Sequence, residues 1–360
     1  MTDSSDGDSG TRVHSETKTN TSVEHTDSAR ELVFSDVREV RLNSVSIDNP
    51  DPNDVIVETT VSAISPGTEL LLYRGEVPEQ MAADATLETL DGDLSYPTAY
   101  GYAAVGDVVE TGKEATDRLG ERVFAFHPHQ SRFCVDSDTL VSIPDDWDAE
   151  TAALLPSAET ATNFLLDGSP RVGERVVVFG AGVIGLCTIQ LLANLPISEL
   201  VVIEPIPARR ELARSFGADR ALDPSADDEI FTAHDPPGAD LVYEVSGQPA
   251  ALNAAIDVVG YDGRIIVGSW YGNKPTELEL GGDFHRDRIT VTSSQVSTID
   301  PDLRGRWTTD RRLSVAIEQL NTIDVDALIT DRVSFRDAPS AYRRLTETPE
   351  STLQVLLTYS

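Results

Sequence analysis

Gly180, Gly182 and Gly185 lie in the run Val176-Val-Val-Phe-Gly-Ala-Gly-Val-Ile-Gly185, and Glu204 follows the last of them by 19 residues, at the end of Leu200-Val-Val-Ile-Glu204. In order these are an apolar strand, a glycine turn, a helix start and a second apolar strand ending in a carboxylate, the arrangement a dinucleotide requires. Gly180 permits the tight turn, Gly182 lets the backbone approach a pyrophosphate, and Gly185 lets the helix sit close to the sheet. Ala181, Val183 and Ile184 complete the loop, whose unpaired N–H groups at the helix start favour an anion. A bare glycine triplet recurs in many turns; the ordered strand, turn, helix, strand and acid make this one specific. Glu204 is suited to accept both ribose hydroxyls, which favours NAD because its charge repels the 2'-phosphate of NADP. Arg209 and Arg210, just past that acid, can pair with a phosphate or cover adenine, so NADP stays open.

Other reactive side chains are sparse. Cys134 and Cys187 are far apart and in apolar surroundings, so they are expected to be buried small hydrophobes rather than a disulfide or a nucleophile. His127-Pro-His129 with Glu69 lacks a third close donor, so no metal is expected.

The chain has 360 residues, enough for two cores, and a formal net charge of -33. Only 3 of its 28 basic residues are Lys. Acidity together with lysine depletion predicts a halophile's surface, stable where molar salt shortens the Debye length to about 3 Å. That charge argues against nucleic-acid and anionic-membrane partners. Without an apolar leader, and with apolar runs only as long as sheet strands, a cytoplasmic protein is expected.

The elements that must carry the motifs fall into two textures. Residues 1–30 are Ser, Thr, Asp, Glu and His with almost nothing to bury, and are expected to be a disordered acidic leader. Short alternating runs between Pro, Gly and Asp turns then predict an antiparallel β domain over 31–160, with a helix over 151–166 leading out. Strands at 175–179, 200–204, 219–222, 240–245, 263–268 and 288–293 alternate with helices near 182–194, 207–216, 248–259 and 308–321. This predicts a parallel sheet of six spanning 161–300, with the cofactor at the carboxyl ends where strand order reverses. Residues 301–360 are expected to supply a connecting helix, a helix over 337–346 and a strand over 352–358 that returns to the β domain.

The chain resembles the medium-chain dehydrogenase/reductase superfamily over nearly its whole length after residue 30. The resemblance is carried by Ala63-Ile-Ser-Pro-Gly-Thr-Glu-Leu70, Tyr73-Arg-Gly75, Gly101-Tyr-Ala-Ala-Val-Gly106, Gly120-Glu-Arg-Val123, Leu140-Val-Ser-Ile-Pro144, the dinucleotide segment, Arg210 to Asp219, and Gly263-Arg-Ile-Ile-Val-Gly268. Within it, the Ser65 to Gly75 stretch is most similar to the branch holding bacteriochlorophyllide hydroxyethyl dehydrogenase, and the acidic composition is of haloarchaeal type. The resemblance implies an α/β fold: a GroES-like antiparallel catalytic domain plus a Rossmann doubly wound parallel sheet.

It also implies site residues. Where zinc-dependent relatives carry metal ligands this chain has Pro66, Tyr102, Ala103 and about Pro156, and the four-cysteine structural lobe is absent, so the resemblance implies a zinc-independent member. Thr68 stands at the proton-relay hydroxyl. Tyr102 replaces a metal-binding His and is either the donor to the substrate oxygen or a filler of the vacated volume. Glu69 is a brace or a catalytic acid; His129 is a solvent-side proton acceptor or a packing residue. Glu159 is a carboxylate entering the cleft or a solvated helix residue, and Thr160 matches a nicotinamide contact. Ser246, Gly247, Gly268, Ser269 and Trp270 match contacts to the nicotinamide ribose and ring, with Trp270 and Tyr271 as a substrate wall or core aromatics. Around the last sheet strand, His285 or Arg288 could meet an acidic substrate, although a salt bridge is the plainer fate for the arginine. That strand pairs across a dimer in relatives, so a homodimer or homotetramer with a small-molecule substrate is expected. Three functions stay open: an alcohol/carbonyl oxidoreductase, a quinone or enoyl (C=C) reductase, and a non-catalytic dinucleotide-binding protein.

Overall fold

The computed structural model describes residues 28–78, 81–83, 90, 92–226 and 230–359. The expected leader lies outside the described residues up to 27, and Ser28 to Arg30 already belong to the first strand. β1 (Ser28–Asp36) and β2 (Glu39–Ser46) form an antiparallel hairpin. β3 (Asp54–Ala63) leads into helix α1 (Pro66–Arg74), and β4 (Thr98–Ala99) adds to the free side of β1.

β5 (Ala104–Thr111), β6 (Arg122–Ala125), β7 (Arg132–Asp136) and β8 (Val141–Ser142) continue the antiparallel part. β3 is its spine, pairing with both β5 and β7. The helix expected over 151–166 is two: α2 (Ala149–Ala153) and α3 (Leu155–Gly168), meeting at Leu154. Pro156 explains the break, because it has no N–H with which to continue the ladder from α2.

The second half alternates strand and helix: β9 (Arg175–Phe179), α4 (Val183–Ala193), β10 (Glu199–Ile203), α5 (Pro207–Ser215), β11 (Arg220–Leu222), β12 (Ala239–Glu244), α6 (Ala250–Val258) and β13 (Val259–Val267). The short α7 (Asp283–Arg286) precedes β14 (Thr290–Ser293), and α8 (Thr309–Leu320) follows. The six strands make one parallel sheet in the order β11-β10-β9-β12-β13-β14. Val176, Val177 and Val178 are completely buried, as are Val201, Val202, Leu241 and Val242. A strand covered on both faces needs such unbroken apolar runs. Strand order reverses between β9 and β12, which opens a crevice at their carboxyl ends.

After α8 come β15 (Ile329–Ser334), α9 (Ala338–Glu347) and β16 (Gln354–Thr358). β16 pairs antiparallel with β3, so the end of the chain completes the first sheet. α9 packs on α1, with Tyr342 edge-on to Phe34 at 5.2 Å between ring centroids. The protein is therefore α/β, a GroES-like antiparallel unit joined to a Rossmann-type sheet. No helix among the described residues is long and apolar enough to cross a membrane.

Candidate active site

The glycine turn joins β9 to α4, and each glycine answers a different constraint. Gly180 has φ +101°, and a Cβ there would come within 2.7 Å of the Ser246 backbone. At Gly185 a Cβ would meet the Gly180 carbonyl oxygen at 2.2 Å, so this glycine lets α4 sit directly on the turn. Gly182 has nothing within 4 Å of such a Cβ. It caps α4 without a side-chain bond, which leaves open space in front of free N–H groups, as an anion site needs. Ala181 and Val183 are buried, and Ile184 faces the crevice.

Glu204 is placed differently from its expected role. It is buried, and its two oxygens accept from the N–H groups of Ala181 and Ile206, each at 2.8 Å. The carboxylate thus braces the glycine turn from below. Arg209 donates to the carbonyls of Pro349 (2.8 Å) and Thr352 (3.1 Å), so its guanidinium is committed to the returning chain rather than left for a phosphate. Burial pulls its pKa down. Arg210 bonds the Glu204 carbonyl at 2.6 Å and Asp223 at 3.0 Å.

Across the switch point, the loop after β12 is organised by Glu244, which sequence reasoning missed. Glu244 is completely buried. It accepts from the Ser246 N–H at 2.9 Å, from the Ser246 hydroxyl and from the Tyr271 hydroxyl. Burial, then this bond, raises the Tyr271 pKa. Gly247 donates its N–H to the Ser269 hydroxyl at 2.8 Å, and the N–H groups of Gly268 and Ser269 both reach the Glu244 carbonyl. Ser246, Gly247, Gly268 and Ser269 therefore form one hydrogen-bonded rim. Trp270 packs with Tyr102 against the core of the antiparallel unit.

Between the two sheets lies a small crevice, with Ser65, Tyr102, Pro156, Thr160, Ile184 and Gln354 among its lining residues. The Tyr102 hydroxyl is within hydrogen-bonding reach of Ser65 Oγ and, at 3.3 Å, of Thr68 Oγ1, and its single proton can go to one of them at a time. Ser65 is the residue sequence reasoning overlooked. It caps α1 by position, yet its side chain makes no cap bond, and its oxygen is turned toward Tyr102 instead. A serine at a helix start usually bonds its own first turn; the missing bond is a signal visible only in three dimensions. Thr160 bonds the Pro156 carbonyl at 2.8 Å on the crevice face of α3.

Glu69, on the first turns of α1, is fully buried. Its Oε1 accepts the Ser65 N–H at 2.7 Å. Its Oε2 accepts from the Tyr342 hydroxyl at 2.6 Å and faces His129 Nε2 at 3.1 Å. His129 Nδ1 meets Ser62 Oγ at 2.7 Å, and Ser62 meets the Tyr359 hydroxyl at 2.9 Å. Glu69 is thus a brace. His129 has no exposed surface and both ring nitrogens are bonded inside the protein, so of its two expected places it takes the packing one and not the solvent-side one. Burial, ahead of the neighbouring Glu69, pushes the Tyr342 hydroxyl well above the ordinary phenol range.

Glu159 does not enter the crevice. Ala153, Pro156, Ser157 and Thr160 share its wall, and a helical period of 3.6 places residue 159 on another face. There it pairs with Arg312 of α8, at 2.9 Å and 3.1 Å. Burial raises its pKa, and Arg312 opposes the rise. His285 lies on α7, and Arg288 pairs with Asp262 at 3.5 Å.

The positions where a zinc ion would be held do not fit one. Pro66, Ala103 and Pro156 offer no donor, and the Tyr102 phenol is engaged with two hydroxyls. Among the described residues no three His, Cys, Asp or Glu side chains gather as a metal site. His127 stacks on Phe133 at 3.9 Å and bonds the Pro128 carbonyl. Burial pushes the Cys187 thiol up to about 12 and, with nearby aspartates, Cys134 up to about 11.

Residues 183–313 match the family described as zinc-binding dehydrogenase. D-guloside 3-dehydrogenase of Escherichia coli K12 is 28% identical over 327 residues, covering 85% of this chain and 93% of the relative. The 2-desacetyl-2-hydroxyethyl bacteriochlorophyllide A dehydrogenase of Cereibacter sphaeroides is 27% identical over 323 residues, 81% of this chain and 93% of its own. Among solved structures, an E. coli CFT073 short chain alcohol dehydrogenase (rspB) complexed with NADH superposes with a TM-score of 0.75 at 20% identity, covering 92% of this chain and 99% of that one.

Proposed function

We propose that the chain is a member of the medium-chain dehydrogenase/reductase superfamily and, within it, an NAD(P)-dependent oxidoreductase acting on an alcohol/carbonyl pair without zinc. One observation carries this reading: the crevice wall joins Ile184 of the glycine turn to Ser65 and Tyr102 of the antiparallel unit. A cofactor on the turn and a hydroxyl cluster are thereby brought to one cavity.

The free N–H groups at Gly182 and Val183 would hold the pyrophosphate, and the Ser246 to Ser269 rim would meet the nicotinamide half. The bound nicotinamide supplies or accepts hydride; the protein supplies everything else. Tyr102 donates a hydrogen bond to the substrate oxygen, where charge develops as the carbonyl is reduced. Thr160, Ile184 and Pro156 orient the substrate and exclude water. NAD is favoured over NADP because Arg209 and Arg210, the arginines just past Glu204 that could pair with a 2'-phosphate, are already engaged.

The relatives' names include a glycoside and a hydroxyethyl dehydrogenase, which supports a secondary alcohol as substrate. The Ser65 to Gly75 stretch supports placement near the bacteriochlorophyllide branch, and the acidity supports a halophilic source. β14, an edge strand of the parallel sheet, is the face proposed to meet a second copy.

The test is NADH and NADPH fluorescence titration in molar KCl, followed by secondary alcohols, aldehydes, quinones and enones, with and without chelator. Turnover of alcohols or aldehydes that survives chelation is expected. Turnover of quinones and enones alone would move the reading to C=C reduction, and loss on chelation would sink the zinc-independent mechanism.

A further inference from the structure

The superfamily pattern places the relay hydroxyl at Thr68, but three observations point elsewhere. Ser65 lines the crevice. It is the nearer of the two hydroxyls bonded to Tyr102, Thr68 lying at 3.3 Å. And although Ser65 starts α1, its oxygen does not cap that helix. A serine at a helix start is stabilised by bonding the first turn, so an oxygen turned away from that bond is held for another use.

Glu69 explains how the arrangement stands. In a reciprocal capping box the serine bonds the helix N–H and a following Glu returns to the serine N–H. Here only the second half is made, Glu69 Oε1 taking the Ser65 N–H at 2.7 Å. Glu69 is itself fixed by Tyr342 at 2.6 Å and His129 at 3.1 Å. The backbone of Ser65 is locked while its hydroxyl, not committed to the helix, meets Tyr102 at the crevice wall.

We infer that Ser65, not Thr68, is the catalytic relay hydroxyl: it returns a proton to Tyr102 after Tyr102 has protonated the substrate oxygen, with Glu69 as its positioning residue. In reduction, the carbonyl carbon gains hydride from the reduced nicotinamide, and the oxygen gains the Tyr102 proton. Tyr102 regains one from Ser65 Oγ, and Ser65 regains one from water at the crevice mouth. Oxidation runs the same transfers backwards. The assignment rests on the oxidoreductase function proposed above.

The experiment compares Ser65→Ala, Ser65→Thr and Thr68→Ala in the full chain in molar KCl, reading kcat, KM, NADH affinity and the 13Cζ tyrosine resonance of Tyr102, identified by its loss in Tyr102→Phe. Ser65→Ala is expected to lower kcat by about 100-fold or more, the scale of a lost proton-transfer group, with NADH affinity unchanged and the Tyr102 resonance shifted. Ser65→Thr, which keeps a hydroxyl, should recover most of kcat, and Thr68→Ala should lower it less than Ser65→Ala does. Full turnover in Ser65→Ala, no recovery in Ser65→Thr, an unmoved Tyr102 resonance, or a larger loss in Thr68→Ala each overturn the relay alone. A wild-type chain that binds NADH but turns over no alcohol or carbonyl removes the proposed function, and the relay with it.

Discussion

Nε2 of His129 lies 3.1 Å from Oε2 of Glu69, with both side chains wholly removed from solvent. Neither is open to substrate, yet the pair sits one residue-contact away from the crevice, because the other Glu69 oxygen holds the Ser65 N–H. The chemistry at the crevice is therefore sensitive to groups that never touch it.

Removing the Glu69 carboxylate should unfold this corner of the protein. Glu69→Ala strands the Ser65 N–H, the Tyr342 hydroxyl and His129 in a buried space, at a cost of about 3–5 kcal/mol. Glu69→Gln keeps the volume and one acceptor, at a cost of roughly 1–3 kcal/mol. Urea unfolding at fixed KCl checks the ranking; equal losses in the two variants would contradict the bracing role.

The glycines of the turn should separate stability from binding. Gly185→Ala forces a Cβ to within 2.2 Å of the Gly180 carbonyl, so both unfolding midpoint and dinucleotide affinity should fall. Gly182→Ala meets no protein atom within 4 Å, so it should leave the midpoint nearly unchanged while weakening NADH binding tenfold or more, about 1.4 kcal/mol. Thermal unfolding with fluorescence titration reads both; an unaffected NADH affinity in Gly182→Ala would place the pyrophosphate elsewhere.

His127 should make the fold acid-sensitive. Burial holds its imidazole down at about 4 from an ordinary 6.5. Between those values the unfolded chain binds a proton that the folded protein refuses, so stability is full above 6.5 and is lost as pH falls toward 4. Residue 127 as a whole keeps some exposed surface, so the loss is at most about 3 kcal/mol. His127→Phe, which keeps the stack on Phe133, should flatten the unfolding free energy across this window relative to wild type. Parallel curves would count against it.

Salt should stabilise rather than weaken the protein. With a net charge of -33, screening relieves carboxylate repulsion as the Debye length shrinks from about 10 Å at 0.1 M to about 3 Å at 1 M. The unfolding midpoint is expected to rise steadily with KCl over that range; a flat or falling midpoint would remove the halophilic reading.

Local order along the chain was enough for the Rossmann half, because strand and helix periods and the turn needs of Gly180 and Gly185 are properties of neighbouring residues. The six strands fall within a few residues of their expected places. The two-part helix at Leu154 departs from the expected single one, although Pro156 was in view, because the pattern of apolar residues runs unbroken through it. The site was less legible. Glu69 meets Tyr342 across 273 residues and Glu159 meets Arg312 across 153. A carboxylate's partner at such separations is set by which surfaces pack together, and no local pattern encodes it. So residue type could place Glu204, Glu159 and His129 on the right segments, while packing turned Glu204 onto Ala181, Glu159 onto Arg312 and His129 onto Glu69. Ser65 is the converse case. In sequence it is an ordinary helix start, and only the approach of Tyr102 from a separate segment draws its oxygen away from the helix it begins.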